Sequence, residues 1–253
     1  MTAAGAGAVL LLALLLLPGC GANGGRQTVR VFASASLTEP FSALEAAFER
    51  RHDGVDVDVQ LAGTPVLVAQ LERGARADVF ASADEESMGR AVSLRGTATS
   101  PKVFATNTLT LVVSRGNPKG VAGFADLARE ELVVALAAEE VPAGRYARAA
   151  LRRAGAVARA DTHEPSVKAI VTKVALGEVD VGVVYRTDVL AAGGRVHGVA
   201  LPADHNVDAR LMVAALRGAP EAATAFVDFL FSDEGQGVLA TAGFGPPPRR
   251  LSP

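Results

Sequence analysis

Cysteine and aromatic residues are scarce in this sequence, and each shortage excludes a class of function. The single cysteine, Cys20, excludes an intramolecular disulfide, a cluster of thiolate zinc ligands and a CxxC redox motif. Tryptophan is absent, and 2 Tyr and 10 Phe in 253 residues are too few for a base-stacking platform or an aromatic sugar groove.

An excess of either charge is also lacking. The 25 Lys+Arg residues nearly balance the 27 Asp+Glu residues, so the chain has no basic footprint and we expect no nucleic-acid partner. The 4 His are not paired at ligand spacing, which argues against a directly coordinated metal. No GxSxG elbow and no Walker A loop occurs, so we expect a protein that is not an enzyme and has no cofactor.

The N-terminus carries a short apolar run. Residues 8–17 read AVLLLALLLL, which is too short to span a bilayer and is typical of a signal peptide. The run leads into Gly19-Cys20 and resembles a bacterial lipoprotein signal, in which the cysteine thiol receives the lipid. We therefore expect a signal peptide over 1–19, lipidation at Cys20 and a flexible tether over 20–27. The alternative is a plain secretory signal with an incidental cysteine.

From residue 28 onward, short apolar runs alternate with helical patterns, which favours an α/β fold with parallel strands. We expect two lobes rather than one wide sheet. The predicted strands are 29–33, 55–61, 78–82, 107–114, 132–137, 181–185 and 210–216. The predicted helices are 37–51, 65–73, 84–93, 144–154, 166–176, 221–231 and 233–240.

Small hydroxyl residues and prolines lie where predicted strands lead into helices. Ser36 has Glu39 three residues later, Thr64 precedes Pro65, and Ser166 opens the helix over 166–176. Such helix starts have unpaired N–H groups and the positive end of the helix dipole, so several of them together form an anion site without Lys or Arg. Each residue taken alone is also explained as an ordinary helix cap.

Six segments, in the same order, resemble the periplasmic molybdate-binding proteins that feed ABC importers, which have the type II solute-binding fold. The resembling segments are VFASASLTEPF (31–41), GARADVFASADEESM (74–88), NTLTLVV (107–113), EVPAGRYARAAL (140–151), GEVDVGVVYRTD (177–188) and FVDFLFSDEGQGVLATAGF (226–244). The resemblance implies two α/β lobes with a ligand cleft between them. We place the first lobe at 28–105 and 219–253, and the second at 106–218.

The resemblance also implies which residues hold the oxyanion. Ser36 in ASASL matches a serine that donates through its hydroxyl and its backbone N–H, and Thr64 takes the place of a second binding serine. Ala143 in VPAG and Val167 in SVK match positions that donate backbone N–H groups. Tyr185 in VVYRTD matches a tyrosine whose hydroxyl donates to the anion.

Two hydroxyl positions qualify this assignment. The family has a Gly-Ser-Ser run where this chain reads Gly63-Thr64-Pro65, so one hydroxyl gains a methyl group and one N–H is lost. Ser34 lies two residues before Ser36, and its hydroxyl can add to the site if the loop turns inward.

The resemblance implies an extracytoplasmic lipoprotein, anchored to the cell membrane by its lipid, that binds molybdate or tungstate and passes it to an ABC permease and its ATPase. We expect a monomer that closes its lobes around the anion. The alternatives are a receptor for sulfate or phosphate, a hydrolase using Ser36 or Ser34, and a scavenging or sensory module without a permease.

Overall fold

A computed structural model describes residues 26–248. The predicted signal peptide and the lipidation site Cys20 lie outside the described residues, as does most of the predicted tether. The first strand begins at Gln27, so the last residue assigned to the tether already belongs to the sheet.

The first half of the fold is built from three βα units. Its elements are β1 (Gln27–Ser34), α1 (Thr38–Glu49), β2 (Val55–Ala62), α2 (Thr64–Glu72), β3 (Val79–Ser82) and α3 (Glu85–Arg95). Strand β1 pairs in parallel with β2 on one side and with β3 on the other. A turn of 3-10 helix, Ala35–Leu37, joins β1 to α1.

The rest of the chain forms the second half and then returns to the first. Its elements are β4 (Lys102–Ser114), β5 (Val134–Ala137), α4 (Pro142–Ala154), β6 (Thr162–Glu164), α5 (Val167–Leu176), β7 (Val181–Tyr185), α6 (Arg186–Ala191), β8 (Val196–Ala200), β9 (Asp208–Ala215), α7 (Glu221–Phe229) and α8 (Asp233–Thr241). The predicted strands and helices are confirmed within a few residues, except that β4 begins five residues earlier. The sequence patterns missed β6, α6 and β8.

Strand β4 connects the two halves. Its residues 102–108 pair with β9, and its residues 109–114 pair with β7 and β8. The sheet runs β2-β1-β3-β9-β4-β7-β5-β6, with β8 attached to β4. A two-lobed α/β fold, as predicted from the sequence, is confirmed.

Each half has its own hydrophobic core. The first core contains six buried phenylalanines, namely Phe41, Phe48, Phe104, Phe226, Phe229 and Phe244. The rings of Phe48 and Phe226 meet edge-to-face at 5.2 Å between centroids. The second core is mainly aliphatic and lies between the second set of strands and helices α4 and α5. Residues 211–215 of β9 pack in or against the first half, although the sequence analysis assigned 106–218 to the second lobe.

Within residues 26–248, no helix combines the length and the apolar character needed to cross a membrane.

Candidate functional site

A small cavity lies between the two halves, at the carboxyl ends of the parallel strands. Ligands of open α/β sheets bind at this edge, because the loops and helix starts converge there. The lining residues come from both halves and are Ser34, Ala35, Ser36, Gly63, Thr64, Ala83, Val141, Pro142, Ala143, Ser166, Val167 and Tyr185. The five residues predicted to bind the oxyanion are all among them. Among these described lining residues none has a charged side chain.

The first half contributes hydroxyl groups. Ser36 and Thr64 are buried, with 3% and 1% of their surfaces exposed. The Thr64 hydroxyl donates to the Ser34 hydroxyl at 3.2 Å between oxygens, and the Ser34 and Ser36 oxygens are 3.3 Å apart. Ser34 therefore turns inward and joins the other two hydroxyl groups at the cavity wall.

The predicted capping roles of Ser36 and Thr64 are wrong. Ser36 lies in the 3-10 turn, and the residue that caps α1 is Leu37. Thr64 is the first residue of α2, whose cap is Gly63, and its hydroxyl bonds to Ser34 rather than to the helix. Because neither hydroxyl satisfies its own helix, both remain part of the cavity wall.

The second half contributes two helix N-termini. Ala143 lies in the first turn of α4, directly after Pro142, and Val167 is the first residue of α5. The N–H groups of a first turn have no acceptor within the helix, and the dipole adds positive potential at that end. Ser166 caps α5 as predicted, since its hydroxyl accepts from the N–H of Ala169 at 3.3 Å.

Tyr185 brings a phenol into the cavity from the end of β7. The residue is 2% exposed, and its hydroxyl has no hydrogen-bond partner among residues 26–248. Burial raises the pKa of Tyr185 above its ordinary value, and the nearby Tyr146, Asp84 and Asp188 raise the pKa further. The phenol therefore stays protonated at neutral pH and remains a hydrogen-bond donor.

Asp188 supports the main chain at Tyr185. Its Oδ2 accepts from the N–H of Tyr185 at 3.0 Å, while Oδ1 has no partner in the part of the chain that the structure describes. Burial raises the pKa of Asp188 to about 7, against the opposing effects of Lys168 and of the bond from Tyr185.

The charged residues near the cavity pair with one another across the two halves. Arg145 of α4 forms an ion pair with Asp84, which caps α3, and its Nη2 donates to the Ser87 hydroxyl at 3.0 Å. Lys168 of α5 contacts Glu39 of α1 at 2.6 Å. These cations therefore bridge the halves beside the cavity and do not line it.

Sequence reasoning missed the part played by Asp84. Its carboxylate caps α3 by accepting from the N–H of Ser87 at 3.0 Å, and the same carboxylate receives Arg145 from the other half. Because 61 residues separate Asp84 from Arg145, no local pattern indicates the pair. The only available signal was the Asp-Glu-Glu run over 84–86, which is typical of a helix start.

A family model described as bacterial extracellular solute-binding protein matches residues 29–245, which is most of the chain. The chain belongs to this family. Membership in the extracellular solute-binding family indicates that the chain acts outside the cytoplasm.

Individual relatives are consistent with this family. The molybdate-binding protein ModA of Mycobacterium tuberculosis is 35% identical over 229 residues, covering 90% of this chain and 88% of that protein. The periplasmic molybdate-binding protein of Azotobacter vinelandii superimposes with a TM-score of 0.71 at 20% identity, covering 87% of this chain and 100% of that chain. The sulfate-binding protein SubI of M. tuberculosis superimposes with a TM-score of 0.76 at 21% identity, covering 87% of each chain. At such identities the two structures support the fold alone.

Proposed function

We propose that this solute-binding protein binds molybdate, and tungstate as well, and delivers the anion to an ABC permease. The 35% identical mycobacterial relative is named for molybdate binding. The observation within the site that carries the proposal is the Tyr185 hydroxyl, a buried donor for which the described residues provide no acceptor. Leaving such a group unpaired costs about 1–3 kcal/mol, and an anion oxygen in the cavity would remove this cost.

The proposed ligand shell contains donors only. The hydroxyls of Ser36 and Tyr185, the N–H groups of Ala143 and Val167 and the N-terminus of α2 at Thr64 would surround a tetrahedral dianion. A fully deprotonated anion suits such a site, whereas a protonated oxyanion would also need an acceptor. Larger anions such as molybdate and smaller ones such as sulfate would then be separated by the size of the cavity.

The mechanism we propose is closure of the two lobes around the anion, with β4 and β9 as the connecting strands. The lobe boundaries predicted from the sequence belong to this proposal, apart from residues 211–215, which pack with the first half. Arg145 and Lys168 reach Asp84 and Glu39 in the opposite half, so their ion pairs would form as the cleft closes.

The proposal contains no chemical step on the ligand. A serine hydrolase would need a general base beside Ser34 or Ser36. Among the described residues lining the cavity there is no His, Asp or Glu, and the Ser34 hydroxyl contacts those of Ser36 and Thr64. We therefore propose a binding protein without a cofactor that acts as a monomer.

A thermal-unfolding series tests the ligand. A ligand that binds only the folded state raises the melting temperature with the logarithm of its free concentration. We expect this rise with molybdate and tungstate at micromolar concentrations, and little change with equal concentrations of sulfate or phosphate. A larger rise in melting temperature with sulfate than with molybdate would show that sulfate is the ligand.

The lipid anchor at Cys20 is a separate proposal. Cys20→Ser should release the protein from the membrane fraction and leave molybdate affinity unchanged, because residue 20 precedes the first strand. Equal retention of the wild type and the variant in the membrane fraction would contradict the anchor.

A further inference from the structure

Three hydroxyl groups form a chain at the wall of the cavity. The Thr64 hydroxyl donates to Ser34, and the Ser34 oxygen lies 3.3 Å from the Ser36 oxygen. Each side chain is buried, with 5% of Ser34 exposed and still less of the other two. Bulk water therefore does not compete for these two hydrogen bonds.

The proton count limits what each hydroxyl can do. A hydroxyl carries one proton, so Thr64 cannot donate to Ser34 and to an anion at the same time. Ser34 accepts from Thr64, and the contact between the Ser34 and Ser36 oxygens fits a donor on either side. When Ser34 is the donor, its proton goes to the Ser36 oxygen. Ser36 is then left with one proton and no acceptor among the three hydroxyls, and this proton is directed into the cavity.

The geometry points to Ser34 as a positioning and specificity-determining residue of the anion site, a role that rests on the proposed function. Thr64 donates to Ser34, Ser34 donates to Ser36, and Ser36 alone of the three donates to the anion. Thr64 thus contributes the N-terminus of α2 and the first bond of the chain, and its hydroxyl does not contact the anion.

This arrangement fixes Ser36 as a donor. Because the Ser36 oxygen accepts from Ser34, its proton has one remaining direction, and hydrogen bonds in such a chain strengthen one another. A protonated oxyanion such as hydrogen phosphate needs an acceptor in the site, and the occupied Ser36 oxygen is a poor one. Ser34 therefore favours fully deprotonated anions, although it does not touch them.

Calorimetry on a set of variants tests the hydrogen-bonded chain of three hydroxyls. The mature chain carrying Cys20→Ser is titrated with molybdate and with phosphate, and compared with Ser36→Ala, Ser34→Ala and Thr64→Val in that background. We expect molybdate affinity to fall about 10–150-fold for Ser36→Ala, which loses a bond to a charged group. The fall should be about 3–10-fold for Ser34→Ala and about 2–5-fold for Thr64→Val, each of which loses a neutral bond.

The pairing of variants separates positioning from simple structural loss. Thr64→Val should cost less than about 2-fold in the Ser34→Ala background, because the bond it removes is already gone. Ser34→Ala should also lower the ratio of molybdate to phosphate affinity, since it frees the Ser36 oxygen to accept a hydrogen bond from the hydroxyl of hydrogen phosphate. Thr110→Val is the control: it removes a buried hydroxyl that donates to the carbonyl of Val199 at 2.8 Å in the second half, and both affinities should stay unchanged.

Any one of three results would contradict the proposed hydrogen-bonded chain of hydroxyls. The first is wild-type affinity for molybdate in Ser34→Ala, and the second is an equal loss of affinity from Thr64→Val in both backgrounds. The third is a greater loss of affinity from Ser34→Ala than from Ser36→Ala. If the wild type binds sulfate and not molybdate, the proposed function is wrong. The same variants titrated with sulfate then still test the hydrogen-bonded chain of hydroxyls. If the wild type binds no tetrahedral oxyanion, both proposals are wrong.

Discussion

Arg145 and Asp84 form an ion pair that joins the two halves of the protein beside the anion cavity. Asp84 is buried, with 6% of its side chain exposed, and it also caps α3. A buried carboxylate that loses its cationic partner is strongly destabilised. The pair therefore favours the closed arrangement of the halves.

Arg145→Gln should weaken molybdate binding, because the closed state loses the partner of a buried carboxylate. A loss of about 1–3 kcal/mol in closure corresponds to roughly 5–150-fold in affinity. Calorimetry on wild type and variant measures the change. Arg90→Gln is the matched control, since Arg90 pairs with Glu72 on the exposed surface of the first half and such pairs contribute little. Equal affinities of Arg145→Gln and wild type would show that the pair does not govern closure.

The halves approach closely at Gly63 and Pro165. A Cβ atom at Gly63 would lie 2.7 Å from the carbonyl oxygen of Pro165 in the opposite half. Gly63→Ala should therefore obstruct closure and lower molybdate affinity by about 10-fold or more, while the unliganded protein keeps its melting temperature. Gly89→Ala in α3 has open space and should leave affinity unchanged. Wild-type affinity in Gly63→Ala would contradict the contact between the halves.

Tyr185→Phe should lower molybdate affinity by about 10- to 150-fold, because a hydrogen bond to a charged group is worth roughly 1.5–3 kcal/mol. The unliganded variant should be as stable as the wild type or slightly more stable, since the lost hydroxyl has no hydrogen-bond partner within the described residues. The other tyrosine supplies the control: Tyr146 accepts from the N–H of Arg210 at 3.1 Å and does not line the cavity. Unchanged molybdate affinity in Tyr185→Phe, or the same loss of affinity in Tyr146→Phe, would show that the Tyr185 hydroxyl does not bind the anion.

Asp188 should make stability depend on pH. Its folded-state pKa of about 7 lies above the ordinary value of 3.8, so the folded state holds this proton more tightly than the unfolded state. The contribution of this group to the free energy of unfolding therefore falls as the pH rises from about 4 to 7. Asp188→Asn keeps an oxygen that can accept from Tyr185 and cannot ionise. The free energy of unfolding of Asp188→Asn relative to wild type should increase from pH 5 to 7 and stay constant above pH 7.

Urea unfolding at several pH values measures this difference. The control is Asp126→Asn, because backbone N–H groups of Ala122 and Gly123 lower the pKa of Asp126. That carboxyl stays ionised throughout the range, so the control should differ from wild type by a constant amount between pH 5 and 8. A constant difference for Asp188→Asn as well would contradict the raised pKa.

Much of the fold could be predicted from the sequence. The runs VRVFA and VGVVY are buried strands, and Gly177 ends α5 with a φ of 75° at the residue where the pattern placed the end. Strand β8 was missed because Gly198 interrupts a short run in which Val196 is buried and the other residues are partly or fully exposed. Helix α6 was missed because its six residues are too few for a helical period to show.

The residues of the site could be predicted from the sequence, whereas the hydrogen bonds between them could not. Local patterns indicated the helix starts, and the family resemblance added Tyr185. The contact between Ser34 and Thr64 joins residues 30 positions apart and depends on the pairing of β1 with β2. No local pattern reports that contact, which is why a cap was expected at Thr64 instead of a hydroxyl chain.

The most direct test of the account is calorimetric selectivity between molybdate and sulfate on the mature chain carrying Cys20→Ser. If the size of this neutral cavity separates the anions as proposed, molybdate and tungstate should bind at least about 100-fold more tightly than sulfate, which is about 2.7 kcal/mol. Phosphate at neutral pH should bind weakly, because its proton finds no acceptor. Sulfate binding as tightly as molybdate would contradict the central claim.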